Sequence, residues 1–307
     1  MKVRVRGALL ERFRSEFRVG EWEVEVPDGW VPVRVKAVGL CGRDIVVWKG
    51  GFRNLKPPLI LGHEVFGEHD GRPVSVYPAV NIGGVPLVLG ENIPGGYADT
   101  VYVPEENLIP LPDAEYEKYA AAVCGVATLM HASRVAGIAA GDRVLVTGAT
   151  GGVGIHGVQY LRLLGAEVVA YARSREKGRV LEEMGFDVVY ELSFYKEKGR
   201  VDSVMEIVGA PTINESMRSL RTGGRLVLIG NITGEPITIT RPALLVMREI
   251  SVTGSAAFTR REWEAAIRVV ASGAIRPVYK VYPLSRINDA YREALTGSRV
   301  GRIVLKP

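Results

Sequence analysis

The string VLVTGATGGVG at residues 144–154 decides the fold, because it joins an apolar strand to a helix through a glycine-rich turn. Glycines there let the chain reverse sharply and let backbone amides approach a pyrophosphate at the positive end of the helix. A tight turn without a ligand is the alternative interpretation. The strand–turn–helix context favours a dinucleotide site. Its predicted contacts are Gly148, Thr150, Gly151, Gly152, Val153 and Gly154.

Strands and helices alternate after this turn, and helices are predicted at 152–164, 174–184, 212–220 and 260–272. Short apolar strands that alternate with helices are typical of a parallel sheet covered on both faces. We therefore predict a doubly wound α/β domain over residues 115–272. Its strands are predicted at 143–146, 167–172, 187–190, 203–208, 225–229 and, as one further candidate, 246–253.

Residues 1–114 and 273–307 differ from this pattern, since their candidate strands are broken by glycine and proline. They are predicted to form one irregular, largely antiparallel domain into which the doubly wound domain is inserted. Residues 115–136 read as helical, with an interruption at Cys124-Gly125. The candidate strands are 2–10, 21–26, 31–38, 74–76 and 98–103.

The end of the second strand of the doubly wound domain indicates which dinucleotide binds. NAD enzymes usually carry an acidic residue there to hold the ribose 2′-hydroxyl, but this sequence has Arg173-Ser174-Arg175. Two guanidiniums and a hydroxyl suit a 2′-phosphate, although both arginines could instead be solvated charges. NADP(H) is therefore predicted. Further cofactor contacts are expected at the ends of later strands, at Gly209, Ile229, Gly230 and Asn231.

The overall composition excludes several functional classes. The net charge of +5 is spread among acidic residues rather than gathered in a basic stripe, which argues against nucleic acid as a partner. No apolar run has the about 20 residues of a membrane span, and residues 1–17 do not resemble a secretory signal. We expect a cytoplasmic protein. A single glutamine and two cysteines, beside abundant Arg and Glu, suggest a thermophilic source.

Three side chains distant in sequence form a candidate metal site. Cys41 follows a strand, His63 follows the apolar segment 59–61, and Cys124 lies in an apolar helical stretch. Two thiolates and an imidazole suit zinc and leave a fourth position open. The alternatives are a disulfide, or cysteines and a histidine that serve only the core.

The motifs, taken in order, resemble those of the zinc-containing alcohol dehydrogenases and their quinone and enoyl reductase relatives, in the medium-chain dehydrogenase/reductase superfamily. The resemblance extends over essentially the whole chain. It implies a Rossmann domain inserted into a mainly antiparallel, GroES-like catalytic domain. The motifs are Cys41–Asp44, Gly62–Glu64, Gly95–Ala98, Cys124–Thr128, the glycine-rich turn and Gly301–Leu305.

The resemblance also implies roles for individual residues. Cys41, His63 and Cys124 would hold one catalytic zinc, with Glu64 as an alternating fourth ligand and Asp44 orienting the ligands. The resemblance implies four contacts to the cofactor. Gly42 is one of them, Thr128 and Ser255 would lie near the nicotinamide, and Arg302 would lie at the phosphates.

Two departures from the family pattern matter. Residues 77–94 contain no cysteine, so the family's structural zinc is not expected and the loop 81–94 should be short. Arg43 stands where alcohol dehydrogenases carry Ser or Thr as a proton relay, and a guanidinium cannot act as an ordinary base. It could instead bind an anionic substrate group, an oxyanion or a cofactor phosphate. The local pattern is most similar to the acryloyl-CoA-reductase branch.

Three functions are compatible with these observations. The first is hydride transfer to or from a hydrophobic ketone, aldehyde or secondary alcohol. The second is reduction of an activated C=C bond in an enone, enoyl thioester or quinone. The third is a protein that binds NADP(H) without turnover, which the metal ligands disfavour. A small-molecule substrate and a homo-oligomer, dimer or tetramer, are the expected partners.

Overall fold

The computed structural model describes residues 1–307, and these divide into two compact units. Unit 1 comprises Met1–Val123 and Ile267–Pro307, and unit 2 comprises Cys124–Ala266. Both divisions fall inside continuous helices, whereas the sequence places the boundaries at 115 and 272. None of the helices has the length and apolar character that crossing a bilayer requires.

Unit 1 is mostly strand in its first part. Its short helix α1 spans Gly42–Trp48. Its strands are β1 (Lys2–Leu10), β2 (Arg18–Glu25), β3 (Val31–Leu40), β4 (Leu59–Ile60), β5 (Glu64–His69), β6 (Arg72–Val76), β7 (Ala79–Ile82), β8 (Val85–Val88), β9 (Thr100–Val103) and β10 (Leu108–Pro110).

Unit 2 alternates strand and helix. Its helices are α2 (Tyr116–Ala136), which begins in unit 1, α3 (Gly152–Leu163), α4 (Arg175–Glu183), α5 (Tyr195–Lys198), α6 (Ile213–Ser219), α7 (Ala243–Arg248) and α8 (Arg260–Ala271), which ends in unit 1. Its strands are β11 (Arg143–Val146), β12 (Glu167–Tyr171), β13 (Asp187–Val189), β14 (Val201–Glu206), β15 (Leu220–Leu228) and β16 (Ser251–Gly254).

The chain then returns to unit 1 with β17 (Tyr279–Pro283), α9 (Ile287–Thr296) and β18 (Arg302–Lys306). The large sheet of this unit has the order β10-β6-β5-β3-β18-β17, with β9 also paired to β3. The last strand therefore lies at the centre of the sheet, antiparallel to β3. Alternate residues of β3, such as Val33 and Val35, are buried in one apolar core with Leu61 and Tyr97.

The sheet of unit 2 has the order β13-β12-β11-β14-β15-β16, and every pair in it is parallel. The chain order reverses between β11 and β14, which is the switch point where open α/β sheets bind ligands beyond the carboxyl ends of the strands. This topology, with the mainly antiparallel sheets of unit 1, in which only β17 and β18 pair in parallel, confirms the predicted α/β fold class.

Helix α2 differs from the prediction, because Cys124-Gly125 does not interrupt it. Gly125 instead permits a close approach: an added Cβ would lie 3.0 Å from the carbonyl oxygen of Gly152 and 3.2 Å from Val153 Cα, at the start of α3. The glycine is a packing position rather than a helix break.

Two segments predicted from the sequence were assigned wrongly. Residues 246–248 belong to helix α7, which begins after Pro242 and ends at Glu249 in a left-handed conformation (φ 51°). Of that candidate strand only residues 251–253 are extended, as part of β16 (Ser251–Gly254). The segment 81–94, expected as a plain loop, contains most of the hairpin β7–β8, whose turn is Gly83-Gly84 with positive φ at both residues.

The glycine-rich turn after β11 depends on close backbone packing. Gly148 has φ 63°, a conformation that favours glycine. Gly154 lies so close to the turn that an added Cβ would come within 3.0 Å of the Gly148 oxygen and of Ala149 Cα. Gly151, the residue preceding α3, has ordinary dihedrals (φ −80°, ψ 174°), and an added Cβ there would meet only the Gly148 oxygen, at 3.4 Å.

Gly154→Ala is expected to lower the free energy of unfolding by about 1–3 kcal/mol, the usual effect of forcing a methyl group into a packed interior. Gly151→Ala is the matched control, because its Cβ would meet nothing nearer than 3.4 Å. Thermal or urea unfolding of both variants measures the effect. Equal destabilisation by the two substitutions would contradict this account of the turn.

Candidate active site

Cys41 lies where β3 gives way to α1. It is the residue preceding the helix, it has an extended conformation (φ −88°, ψ 156°), and it is buried. Its backbone N–H donates to Asp44 Oδ2 at 2.8 Å. The Cys-x-x-Asp spacing therefore has a local cause, since a side chain at the third helical position can cap the first free amide of a helix.

Asp44 also accepts hydrogen bonds from two distant side chains. His63 Nδ1 lies 3.1 Å from Asp44 Oδ1, and the Tyr97 hydroxyl donates to Asp44 Oδ2 at 3.1 Å. His63 follows β4, and the Asp44 carboxylate holds its imidazole through Nδ1, while Nε2 lies 3.9 Å from Glu64 Oε1. Only 2% of Asp44 is exposed. One buried carboxylate thus orients a cysteine, a histidine and a tyrosine.

Four potential metal ligands meet beside this carboxylate. One ligand atom from each of Cys41, His63, Glu64 and Cys124 lies within 4.8 Å of the others, and all four residues are buried. Cys124 is the first residue of unit 2, but α2 passes through the division without a break and so fixes Cys124 relative to Val123. Two sulfurs, an imidazole and a carboxylate are a donor set that suits zinc.

Glu64 is fully buried and needs both space and charge compensation. The space comes from Gly39 on β3, where an added Cβ would come within 3.0 Å of Glu64 Oε2 and of the Ala120 carbonyl oxygen. The compensating charge comes from Arg302, whose Nη2 lies 3.2 Å from Glu64 Oε1.

Arg302 is held by the interior of unit 1. It is only 1% exposed, its Nη1 donates to the Leu40 carbonyl oxygen at 3.3 Å, and its ion pair is with Glu64. The contact with the cofactor phosphates that the family resemblance implies for Arg302 stays a prediction. Its position in unit 1 has a topological cause. Strand β18 occupies the middle of the sheet beside β3, so its first side chain is held within unit 1.

The buried charges shift the protonation of their neighbours. Burial by itself would lower the pKa of His63, but the negative charges of Asp44 and Cys41 outweigh it and raise that pKa well above its ordinary value. A cation bound among the four ligands would replace this proton. Burial and Asp44 also raise the pKa of Tyr97 well above its ordinary value, so its hydroxyl remains a donor.

Arg43 already has a carboxylate partner in this structure. Its guanidinium forms a two-point ion pair with Glu91, in which Nη2 lies 3.0 Å from Oε2, and it stacks over the Phe52 ring at 4.7 Å. Glu91 is 7% exposed. None of the roles predicted for Arg43 includes this pairing, and no sequence pattern indicated Glu91.

The candidate dinucleotide site lies at the carboxyl edge of the unit 2 sheet. Gly148 follows β11, and Gly209 and Asn231 follow β14 and β15. Gly209 has φ 92° and packs against Asn231, whose Oδ1 accepts from the Ala210 amide at 3.3 Å. Ile229 donates its N–H to the carbonyl of Glu206 at 2.8 Å and Gly230 follows it, so these predicted contacts gather at one edge.

Glu206 holds this edge together without a cation. It is fully buried at the end of β14, and it accepts from Thr147 Oγ1 at 2.6 Å, Thr212 Oγ1 at 2.7 Å, Ser216 Oγ at 2.6 Å and the Gly209 amide at 2.9 Å. Several strong hydrogen bonds can compensate a buried carboxylate. Glu206 is therefore a positioning residue for the turns on either side of it.

Residues after β12 and β16 complete the predicted cofactor set. Ser174 precedes α4, and its buried Oγ has no hydrogen-bond partner. Arg173 is exposed, and Arg175 lies over the Tyr190 ring at 4.8 Å. Ser255 follows β16 and also has a buried hydroxyl without a partner.

Two more predicted contacts lie next to the metal ligands in the chain. Thr128 is one helical turn beyond Cys124, and its Oγ1 lies 4.0 Å from Cys124 Sγ. Gly42 is the first residue of α1. His131 and His156, two further histidines of the chain, have partners within the protein: His131 Nδ1 lies 2.8 Å from Glu262 Oε2, and His156 Nδ1 lies 2.7 Å from the Gly152 carbonyl oxygen.

Two known families match this chain, one over the region that is mostly strand and one over the region in which strands and helices alternate. Residues 27–113 match the family described as alcohol dehydrogenase GroES-like domain. Residues 152–272 match the family described as zinc-binding dehydrogenase.

Similar proteins cover nearly the full length. An acryloyl-coenzyme A reductase of Sulfurisphaera tokodaii is 30% identical, with 92% of this chain and 95% of that protein aligned. An alcohol dehydrogenase of Geobacillus stearothermophilus is 29% identical over 98% of this chain and 99% of its own. A structure of a cobalt- and zinc-bound thermostable alcohol dehydrogenase from Pyrobaculum aerophilum matches with a TM-score of 0.86 at 28% identity, and the match covers 99% of this chain and 100% of that one.

Proposed function

Because the chain belongs to the medium-chain dehydrogenase/reductase superfamily of alcohol dehydrogenases, and is therefore an oxidoreductase, we propose that it is a zinc-dependent NADP(H) enzyme. In this proposal it transfers a hydride to or from a hydrophobic ketone, aldehyde or secondary alcohol. The observation that supports it most is the buried group of Cys41, His63, Glu64 and Cys124, with ligand atoms within 4.8 Å of one another.

The chain's own residues would bind, orient and exclude water. Cys41, His63 and Cys124 would hold the zinc ion, and Glu64, paired with Arg302 when it does not bind metal, would be the alternating ligand. A bound zinc ion supplies Lewis acidity to a carbonyl oxygen, and NADP(H) supplies the hydride. Asp44 keeps the imidazole oriented, which is the usual task of a carboxylate behind a metal ligand.

His63→Ala is expected to abolish stoichiometric zinc and to lower kcat/KM by about 1000-fold, the rate equivalent of the several kcal/mol that a metal ion contributes. His69→Ala is the matched control, since His69 lies outside the group and binds the Pro32 carbonyl. Zinc content by elemental analysis and NADPH-dependent turnover of a ketone panel are the measurements. A wild-type enzyme that turns over ketones with no metal would contradict the proposal.

Reduction of an activated C=C bond is the second candidate, and Arg43 favours it. At this position the guanidinium paired with Glu91 cannot relay an alcohol proton, and one of the similar proteins is an acryloyl-coenzyme A reductase. Incubation with NADPH and an enone, with product identification by mass and NMR, separates the two reactions. A saturated ketone as the product would replace the first candidate by the second.

The cofactor preference is proposed from the residues after β12. Arg173 and Arg175 would bind the 2′-phosphate with the Ser174 hydroxyl, which lacks a partner in the protein. No carboxylate stands at this strand end to hold a free ribose hydroxyl.

The double variant Arg173→Ala/Arg175→Ala is expected to weaken NADPH binding by about 10–100-fold, because charged hydrogen bonds contribute about 1.5–3 kcal/mol. NADH binding should change little. Arg179→Ala, an exposed position on the same helix α4, is the control. Fluorescence titration with both cofactors gives the affinities, and a wild-type preference for NADH would refute the assignment.

We also propose that the chain forms a homo-oligomer through the edge of the unit 2 sheet. Strand β16 pairs only with β15, and all four of its residues are exposed. Val246 and Met247, on α7 just before it, are 77% and 79% exposed, and exposed apolar groups beside an open edge favour association. Sedimentation equilibrium is expected to give a dimer or tetramer that Val252→Lys dissociates; a monomeric wild type would contradict this.

A further inference from the structure

The ion pair between Arg43 and Glu91 joins two segments of unit 1 that each adjoin a candidate metal ligand. Arg43 is the second residue of α1, so it lies two positions after Cys41 in the same turn. Its guanidinium binds both carboxylate oxygens of Glu91, with Nη2 3.0 Å from Oε2 and Nε as the second donor. Two parallel charge-assisted hydrogen bonds fix the relative orientation of the two groups as well as their distance. The pair therefore ties the turn of Cys41 to the loop that carries Glu91.

The loop of Glu91 packs on the backbone that precedes His63. Its neighbour Gly90 has φ 79°, and an added Cβ at Gly90 would lie 2.7 Å from the backbone nitrogen of Gly62. Further along the same loop, the Gly96 N–H donates to the Gly62 carbonyl oxygen at 2.7 Å. Gly62 is the residue directly before His63 in the chain. Glu91 is therefore fixed to the segment that supplies the imidazole, as Arg43 is fixed to the segment that supplies the thiol.

The pair and the Asp44 carboxylate bridge the same two segments in different ways. Asp44 joins the Cys41 amide to the imidazole of His63. The Arg43–Glu91 pair joins the two stretches of backbone that carry those residues, through side chains that are not themselves candidate ligands. The distance between the two segments is thus held twice, once by hydrogen bonds within the site and once by an ion pair beside it.

The pairing favours a positioning role for Arg43 over direct contact with an anion. Binding a substrate anion or a cofactor phosphate needs free donors, but Glu91 engages two of the guanidinium nitrogens, and the guanidinium stacks over the Phe52 ring at 4.7 Å. Glu91 is only 7% exposed. An anion that displaced it would leave a buried carboxylate without its countercharge, which is costly.

We propose that Arg43 and Glu91 are positioning residues that hold the turn of Cys41 at a fixed distance from His63, and thereby set the affinity and the coordination geometry of the metal site. This inference rests on the proposed function, because the metal is the one that the function requires. Residues that orient metal ligands typically change metal affinity about 10–100-fold when they are replaced.

The first test measures zinc affinity without turnover, by competition with a chelating dye at one fixed pH. Arg43→Met and Glu91→Gln are each expected to weaken zinc binding about 10–100-fold. The double variant should lose no more than the larger of the two single losses, because the two side chains act as one unit. Unchanged affinity in both single variants, or single losses that multiply in the double variant, would overturn the proposal.

The matched control is the ion pair between Lys36 and Glu68, whose Nζ and Oε2 lie 3.0 Å apart. It joins the same strands, β3 and β5, away from the ends that adjoin Cys41 and His63. Lys36→Met and Glu68→Gln repeat the two substitutions there and should leave zinc affinity within about threefold of the wild type. A loss in these controls as large as in the Arg43 and Glu91 variants would contradict a role specific to the site.

The second test reads the arrangement of the ligands directly. Cobalt in place of zinc gives d–d absorption bands that depend on the coordination geometry. Cobalt-loaded Glu91→Gln is expected to show shifted bands, because the turn of Cys41 is no longer held in place, whereas cobalt-loaded Glu68→Gln should overlay the wild type. A Glu91→Gln spectrum identical to that of the wild type would overturn the claim that the pair positions the ligands.

Urea unfolding of the metal-free proteins separates positioning from general destabilisation. Weaker zinc binding by a variant that is fully folded during the titration supports positioning, whereas a loss that only follows the unfolded fraction would overturn it. If Arg43→Met does not fold, Glu91→Gln carries the test, since it keeps the size of the side chain.

None of these measurements needs hydride transfer, so they test the pair whatever the substrate. A wild type that binds no stoichiometric zinc would refute the proposed function together with this inference. A wild type that binds zinc, with the same affinity in Arg43→Met and Glu91→Gln, would refute this inference alone.

Discussion

The site depends on the Asp44 carboxylate, which is buried and accepts from a backbone amide, an imidazole and a phenol. Each donor comes from a different segment of unit 1, so this one group sets their distances from one another. Buried carboxylates are stable only when they are so engaged. The candidate ligands Cys41 and His63 are therefore preorganised by hydrogen bonds to Asp44.

Negative charge accumulates around this carboxylate and is balanced locally. Arginines from separate parts of unit 1 each meet a buried glutamate, in the pairs Arg43–Glu91 and Arg302–Glu64. The Arg302–Glu64 pair is buried on both sides, and such a pair contributes little net stability but is costly to break by removing one partner. The two ion pairs therefore hold the side chains of the candidate site in fixed positions.

Most of the fold could be predicted from the sequence, because the alternation of strands and helices in unit 2 and the glycine turn after β11 are local properties. Strand β11 is predicted at its observed bounds, and the Gly148 turn needs only nearby residues. Two predictions were wrong for physical reasons. Gly125 permits close packing against α3 and does not break its helix, and Pro242 starts a helix where apolar residues suggested a strand. Motif resemblance named the four candidate ligands that lie together, but Glu91 and Gly39 come from segments without periodic or motif signals. Arg302 shows the converse, since its partner follows from the central place of β18, which only tertiary structure reveals.

Glu206 has a different consequence. Its carboxylate ties β14 to the turn after β11 and to helix α6 wholly through hydroxyls and amides. Oε1 accepts from Thr147, Thr212 and the Gly209 amide, whereas Oε2 accepts from the Ser216 hydroxyl. A side-chain amide of the same size would keep the first set through its oxygen, and the Ser216 hydroxyl would have to turn and accept from the NH₂ group. The shape of this edge of the sheet therefore depends on the direction of its hydrogen bonds.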